Sequence, residues 1–153
     1  MKKIILLMLM LAAIVQAKEV HKVVFDLTTG NLQAFEQKVM QSILSTKEYY
    51  AKNDKELDVV VIIHGDSYKF FLKDLSKSGF KYKTGLNESK KSIEKRLKYM
   101  TEHHGVKFLL CSVGATKFKI KRENIYDFVE MTPSAVIALI AFQNDGYAFL
   151  PID

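Results

Sequence analysis

The chain holds one cysteine, Cys111, in 153 residues, so no intramolecular disulfide can form. That thiol is therefore buried, kept for chemistry, or paired with another molecule. Phosphate-binding glycine loops are missing too: there is no G-x-G-x-x-G, no P-loop and no G-x-S-x-G serine elbow, so no cofactor is expected. The histidines are badly spaced for a metal. His103 and His104 are neighbours that cannot share a helix face and suit a helix-dipole role better. His21 and His64 fall on other elements, so no zinc-like ligand spacing arises and no metal is expected. Without a recognition motif or interleaved aromatic and basic residues, nucleic acid is not an expected partner. Internal repeats, low-complexity segments and a second domain are also absent from the pattern.

What is present begins with an export signal. Lys2 and Lys3 precede an unbroken apolar run, Ile4 to Val15, and Val15-Gln16-Ala17 supplies small residues where a signal peptidase reads. The run is shorter than the roughly 20 residues of a membrane span. A signal peptide over 1–17, cleaved after Ala17, is expected to leave an α/β domain over 18–153. It would lie in the periplasm, with no stable membrane anchor after cleavage. Lipoprotein processing is not expected, because no cysteine follows the apolar run. The formal charge of +6 includes Lys2 and Lys3, leaving +4 on the mature chain. That mild, dispersed charge points weakly to acidic partners or anionic lipid heads.

Past the signal, strand and helix patterns alternate. Val20 to Leu27 is a β-branched strand ending in Asp26-Leu27-Thr28-Thr29-Gly30. A helix is expected over 32–51, with Leu32, Phe35, Val39, Ile43 and Leu44 at helical spacing. Leu57 to Ile63 is apolar on both faces, as a central parallel strand should be. It stops at His64-Gly65-Asp66-Ser67, where Asp66 or Ser67 could cap a short helix bearing Tyr68, Phe71, Leu72 and Leu75. Residues 76–87 read as a loop, 88–104 as a helix closed by Gly105, and 106–111 as the third strand. A small-residue loop, 111–115, follows. A weak short helix is expected within 118–127 and a short strand over 128–131. Thr132-Pro133 should start a helix over 134–143 that is apolar all round and so heavily buried. A last strand spans 147–152. Strands joined by helical crossovers imply a mostly parallel five-stranded sheet in a flavodoxin-like three-layer α/β sandwich.

Ligands of such sheets gather just past the carboxyl ends of the strands. The candidate residues there are Asp26 and Thr28, then His64, Gly65 and Asp66, then Cys111, Ser112 and Gly114, then Thr132 and Ser134. A helix starting soon after Cys111 would aim N–H groups at the sulfur and favour its thiolate. His64 could serve as its base or imidazolium partner, or simply hydrogen-bond to backbone. A buried inert cysteine fits the same position. Phe70-Phe71-Leu72 reads either as core or as a subunit contact.

Taken in order, several pieces resemble the DsrE/DsrF-like family, with its TusD- and YchN-type members. They are Lys22-Val23-Val24-Phe25-Asp26-Leu27, Val60-Val61-Ile62-Ile63-His64-Gly65, Lys69-Phe70-Phe71-Leu72, and Gly105-Val106 leading into Cys111. Glu123-Asn124-Ile125, Pro133-Ser134-Ala135-Val136 and Gln143-Asn144-Asp145-Gly146-Tyr147-Ala148 complete the set. The resemblance implies a flavodoxin-like fold assembled as a homo-oligomer, a trimer or hexamer. It also implies that a cysteine at the Cys111 position carries sulfane sulfur as a persulfide between a donor and an acceptor protein. At most this makes the chain a sulfur carrier or sulfurtransferase-type protein. The segment Ala115-Thr116-Lys117-Phe118-Lys119-Ile120 departs from the relay proteins, so tRNA work is not implied. The other reading is a non-catalytic oligomeric module that binds a small ligand or a protein and uses Cys111 only for packing.

Overall fold

The apolar mid-chain run lies at the centre of a sheet. The computed structural model describes residues 18–153, and the expected signal peptide falls outside the described residues. Strands β1 (Val20–Leu27), β2 (Glu56–Ile63), β3 (Lys107–Cys111), β4 (Glu130–Thr132) and β5 (Ala148–Ile152) pair in the order β4-β3-β2-β1-β5. Every pairing is parallel. Val59 to Ile63 of β2 are fully buried, which explains why that strand carries no polar alternation.

Register sorts the two faces. Val23, Phe25 and Leu27 stand beside Val59, Val61 and Ile63, and beside Ala148, Leu150 and Ile152. Val24 and Asp26 stand beside Val60 and Ile62 on the opposite face, with Phe149 and Pro151. From β1 to β4 the chain steps across the sheet in one direction, and then returns past β1 to form β5. Right-handed crossovers therefore put the first three connections on one face and the last on the other, giving three layers.

The first connection is continuous: α1 (Leu32–Phe35), a π-helical segment (Glu36–Ser42) and α2 (Ile43–Lys52). Asn31 caps its start, its side chain accepting the Ala34 N–H at 3.0 Å. Phe35, Val39, Met40 and Ile43 bury the inner stripe. The π turns reset the spacing within an otherwise expected helix, something hydrophobic period alone does not register. In the second connection no side-chain cap forms at Asp66 or Ser67. A 3₁₀ segment (Gly65–Phe71) leaves the strand directly, and the Ser67 hydroxyl serves the carbonyls of Leu27 and His64, at 2.9 and 2.7 Å. Phe70, Phe71 and Leu72 are core, at most 2% exposed, with Phe70 stacked 4.2 Å from Phe35. After the turns Leu75–Lys77 and Thr84–Leu86, α3 (Lys90–His104) buries Ile93, Leu97 and Met100 and ends at Gly105, φ 64°.

Four expectations fail in the last third. The small-residue stretch after β3 is helical, α4 (Ser112–Lys117), whereas 118–127 holds only a 3₁₀ turn, Arg122–Asn124. Lys119, at φ 53°, stops the helix. Helix α5 (Ala135–Asn144) starts after Ser134, because Thr132 is still in β4, paired with Cys111. Nor is α5 heavily buried: Val136, Ile137 and Ile140 are 64%, 61% and 54% exposed. It is the lone crossover helix on its face, so only the Ala135 and Ala138 side touches the sheet. No helix among the described residues is long and apolar enough to cross a membrane.

Candidate functional site

Cys111 is the last residue of β3, and α4 begins at the next residue. Its side chain therefore stands at the carboxyl edge of the sheet, on the face that carries α5. Sγ accepts the backbone N–H of Ala135 at 3.2 Å, and the N–H groups of Gly114 and Val113 also point at it. Amides in a first helical turn have no carbonyl of their own helix to bond, so the sulfur takes that place. The thiol is only 6% exposed. Burial pushes its pKa up. Hydrogen bonds from the backbone N–H groups of Gly114, Ala135 and Val113 pull it down, and together they hold it below the ordinary thiol value. The structure thus offers the sulfur a dry pocket already arranged for negative charge.

Tyr68 completes that pocket, although sequence reasoning placed it only on a helix face. Its hydroxyl donates to the Cys111 carbonyl at 2.9 Å. Burial, then the bond to Cys111, raise its pKa, so the phenol stays protonated. The ring also decides the residue at 114. A Cβ on Gly114 would stand 2.0 Å from the Tyr68 oxygen, so a glycine there lets α4 pass close over the tyrosine. The available signal was the aromatic-rich segment after β2, but nothing in the sequence matched it to Gly114.

The other candidates divide into two groups. Thr132, 8% exposed, lies beside Cys111 in register, and Ser134 precedes the Ala135 amide. Ser112 opens α4, its carbonyl accepting the Thr116 hydroxyl. These three join Cys111 and Gly114 in one corner. Asp26 and His64 pair with each other across β1 and β2, with Oδ1 and Nε2 2.5 Å apart. Among the hydrogen bonds of the described residues, none joins His64 to Cys111. Thr28 faces inward, its N–H and hydroxyl both on the Ile152 carbonyl. Gly65, at φ 65°, packs against Thr28, and the exposed Asp66 lies beside Gly30. Thr28, Gly65 and Asp66 thus lie in the loops after β1 and β2, apart from the sulfur pocket. Among the described residues, no group of three His, Cys, Asp or Glu side chains could hold a metal ion.

A sequence profile of the DsrE/DsrF-like family matches residues 22–152, from β1 through β5. The chain belongs to the DsrE/DsrF-like family. That family is associated in general with sulfur relay, and this member's cysteine closes the third strand. An uncharacterized protein of Aquifex aeolicus (strain VF5) is 30% identical over 130 residues, which is 85% of this chain and 55% of that protein. This DsrE/DsrF-like chain therefore spans about half the length of the curated relative it matches. Among solved structures, a protein of unknown function, MTH1491 from Methanobacterium thermoautotrophicum, superposes with a TM-score of 0.62 at 17% identity. The match covers 86% of this chain and 98% of that one. The likeness shows the shared flavodoxin-like α/β fold.

Proposed function

We propose that this DsrE/DsrF-like protein accepts sulfane sulfur on Cys111 as a persulfide and passes it to a partner thiol. The observation that carries the reading is the set of backbone N–H groups, from Val113, Gly114 and Ala135, converging on Sγ. A sulfur carrier needs a thiolate at working pH and shelter from water and stray thiols. With thiosulfate as donor, the Cys111 thiolate attacks the outer sulfur. The S–S bond of thiosulfate breaks, and its electron pair leaves on sulfite. Delivery reverses the sense: a partner thiolate attacks the terminal sulfur of the Cys111–S–SH group, and Cys111 leaves as thiolate. No net oxidant or reductant is consumed. His64, held by Asp26 on the next strand, supports the site as an edge hydrogen-bonding group for the incoming donor.

The same proposal puts the protein in the periplasm, delivered there by the 1–17 signal. It has the protein assemble with copies of itself, as a trimer or hexamer, through the exposed apolar side of α5. A second reading is favoured by two observations. The thiol is almost closed off, and a cavity of about 740 Å³ opens elsewhere, between α2 and the β1–β5 pair, near Phe25, Ile43, Tyr50 and Leu150. In that reading the protein is a small-ligand module and Cys111 packs.

Anaerobic incubation with thiosulfate or polysulfide, followed by intact-mass measurement, separates the two. The sulfur carrier gains the mass of sulfur atoms, loses it to dithiothreitol, and fails to gain it as Cys111→Ser. A wild-type protein that takes up no sulfur, and is alkylated only after denaturation, leaves the binding module standing.

A further inference from the structure

Lys69 is the one lysine among the buried residues of the described chain, at 7% exposed. It sits in the 3₁₀ segment after β2, next to Tyr68 but outside the sulfur pocket. Removing an ammonium from water is costly unless a partner replaces the lost hydration. Among the described residues, Lys69 Nζ makes neither an ion pair nor a hydrogen bond. Its contact is the Phe70 ring, 5.4 Å away. Burial lowers its pKa, the Asp66 carboxylate raises it from beyond ion-pair distance, and Lys83 lowers it again. The two like charges are thus held near one another, with the Asp66 carboxylate close to Lys69 but beyond ion-pair distance.

The space between them is a shallow pocket of about 230 Å³, lined by Gly30, Leu32, Lys69, Lys83, Gly85 and Leu86. Asp66 is not part of its lining. Gly30 keeps the pocket open, because a Cβ there would stand 2.9 Å from Lys69 Nζ and 2.7 Å from the Asp66 Cβ. The floor is also the start of the unbroken helical run formed by α1, the π segment and α2. Its first amides, Leu32 and Gln33, have no carbonyl of their own helix to bond. That run presents its positive end here. The donors on offer are two ammonium groups and main-chain N–H, with the Asp66 carboxylate oxygen at the rim, 3.1 Å from where a Gly30 Cβ would stand.

We infer that Lys69, Lys83 and the start of the Leu32 helix form a binding site for a small, doubly charged oxyanion, separate from Cys111. A tetrahedral anion between the two lysines would supply the counter-charge that Lys69 lacks and use donors that protein acceptors leave free. Free sulfate, thiosulfate and phosphate share this chemistry, as does a phosphoryl group on a larger molecule. The inference does not depend on Cys111 carrying sulfur.

The test is NMR titration of the purified protein with sulfate, thiosulfate and inorganic phosphate in turn, at an ionic strength fixed with chloride. Saturable shifts centred on Gly30, Leu32 and Gln33 are expected, and the ranking of the three anions identifies the preferred source. Lys69→Met, close to lysine in length, should weaken binding about tenfold. Lys83→Ala, at an exposed residue that leaves the fold intact, should weaken it about threefold. Cys111→Ser should bind like wild type. Shifts that never saturate, that persist undiminished in both lysine variants, or that vanish in Cys111→Ser would each overturn the site.

Discussion

The two faces of the sheet are finished differently. On one, α2 and α3 pack side by side, each with a polar outer surface, and Leu97, Met100, Val39 and Ile43 are at most 2% exposed. On the other, a single helix, α5, crosses β1 and β2 with apolar residues all round and leaves Val136, Ile137 and Ile140 open. Phe149 of β5 lies exposed on that same face. A helix polar on its far side needs only the sheet; a helix apolar on both sides is matched to a second surface as well. The sulfur pocket is built on this unfinished face, its third amide supplied by the first residue of α5. In the proposed assembly, a copy seated on α5 would therefore bear on Cys111.

The comparison breaks most sharply at the covered face. Leu97→Ala should cost about 2–5 kcal/mol in chemical denaturation, since the side chain is fully buried and the cavity cannot fill from solvent. A loss under about 0.5 kcal/mol, typical of surface positions, would mean α3 is not the firm layer it looks. Next in size comes Gly114→Ala. Its methyl group would displace the Tyr68 ring, at about 1–3 kcal/mol of overpacking, and move an amide away from the sulfur. Unchanged stability and unchanged alkylation of Cys111 would show that the tyrosine contact is not needed.

Smaller still is a pH effect. The Cys111 thiol has a folded pKa below its unfolded value, so the charged form is the one the fold favours. Its contribution is complete above the unfolded value, about 8.5, and is lost as pH falls through the folded one. The stability gap between wild type and Cys111→Ala should therefore widen in favour of wild type from pH 6 to about 9. A gap that narrows over that range would mean burial outweighs the amides. Smallest in the isolated subunit is Ile140→Gln, expected within about 0.5 kcal/mol of wild type. Sedimentation of that variant should nonetheless show a lower assembly state than wild type; equal states would free α5 of any role in self-association.

Much of this architecture could be read from the chain. β1, β2 and β3 have β-branched or wholly apolar runs of strand length, and Gly105 closes α3 where a left-handed residue was expected. The carboxyl-edge position of Cys111 followed from that order alone. Elsewhere the signals were ambiguous for physical reasons. Small residues at 112–115 carry little helix preference, and Gly114 lowers it by about 1 kcal/mol against alanine, so α4 read as loop. An all-apolar helix reads the same whether it is covered by its own domain or by another molecule, which hid the exposure of α5. The contact of Tyr68 with Gly114 spans distant positions in the chain, and no local pattern announces it. Lys69 lies in an aromatic stretch, and no local pattern announces that the fold buries it.

The strand order carries a consequence for how the chain folds. β1, the first strand of the described chain, sits between β2 and β5, the last, and Thr28 is tied to Ile152 across 124 positions of sequence. Contacts that distant raise the mean separation of paired residues, which slows folding. Until β5 is made, β1 has one unpaired edge and Leu27 lacks its neighbour Ile152. Synthesis from the amino end thus leaves this sheet incomplete until β5 is available to pair with β1.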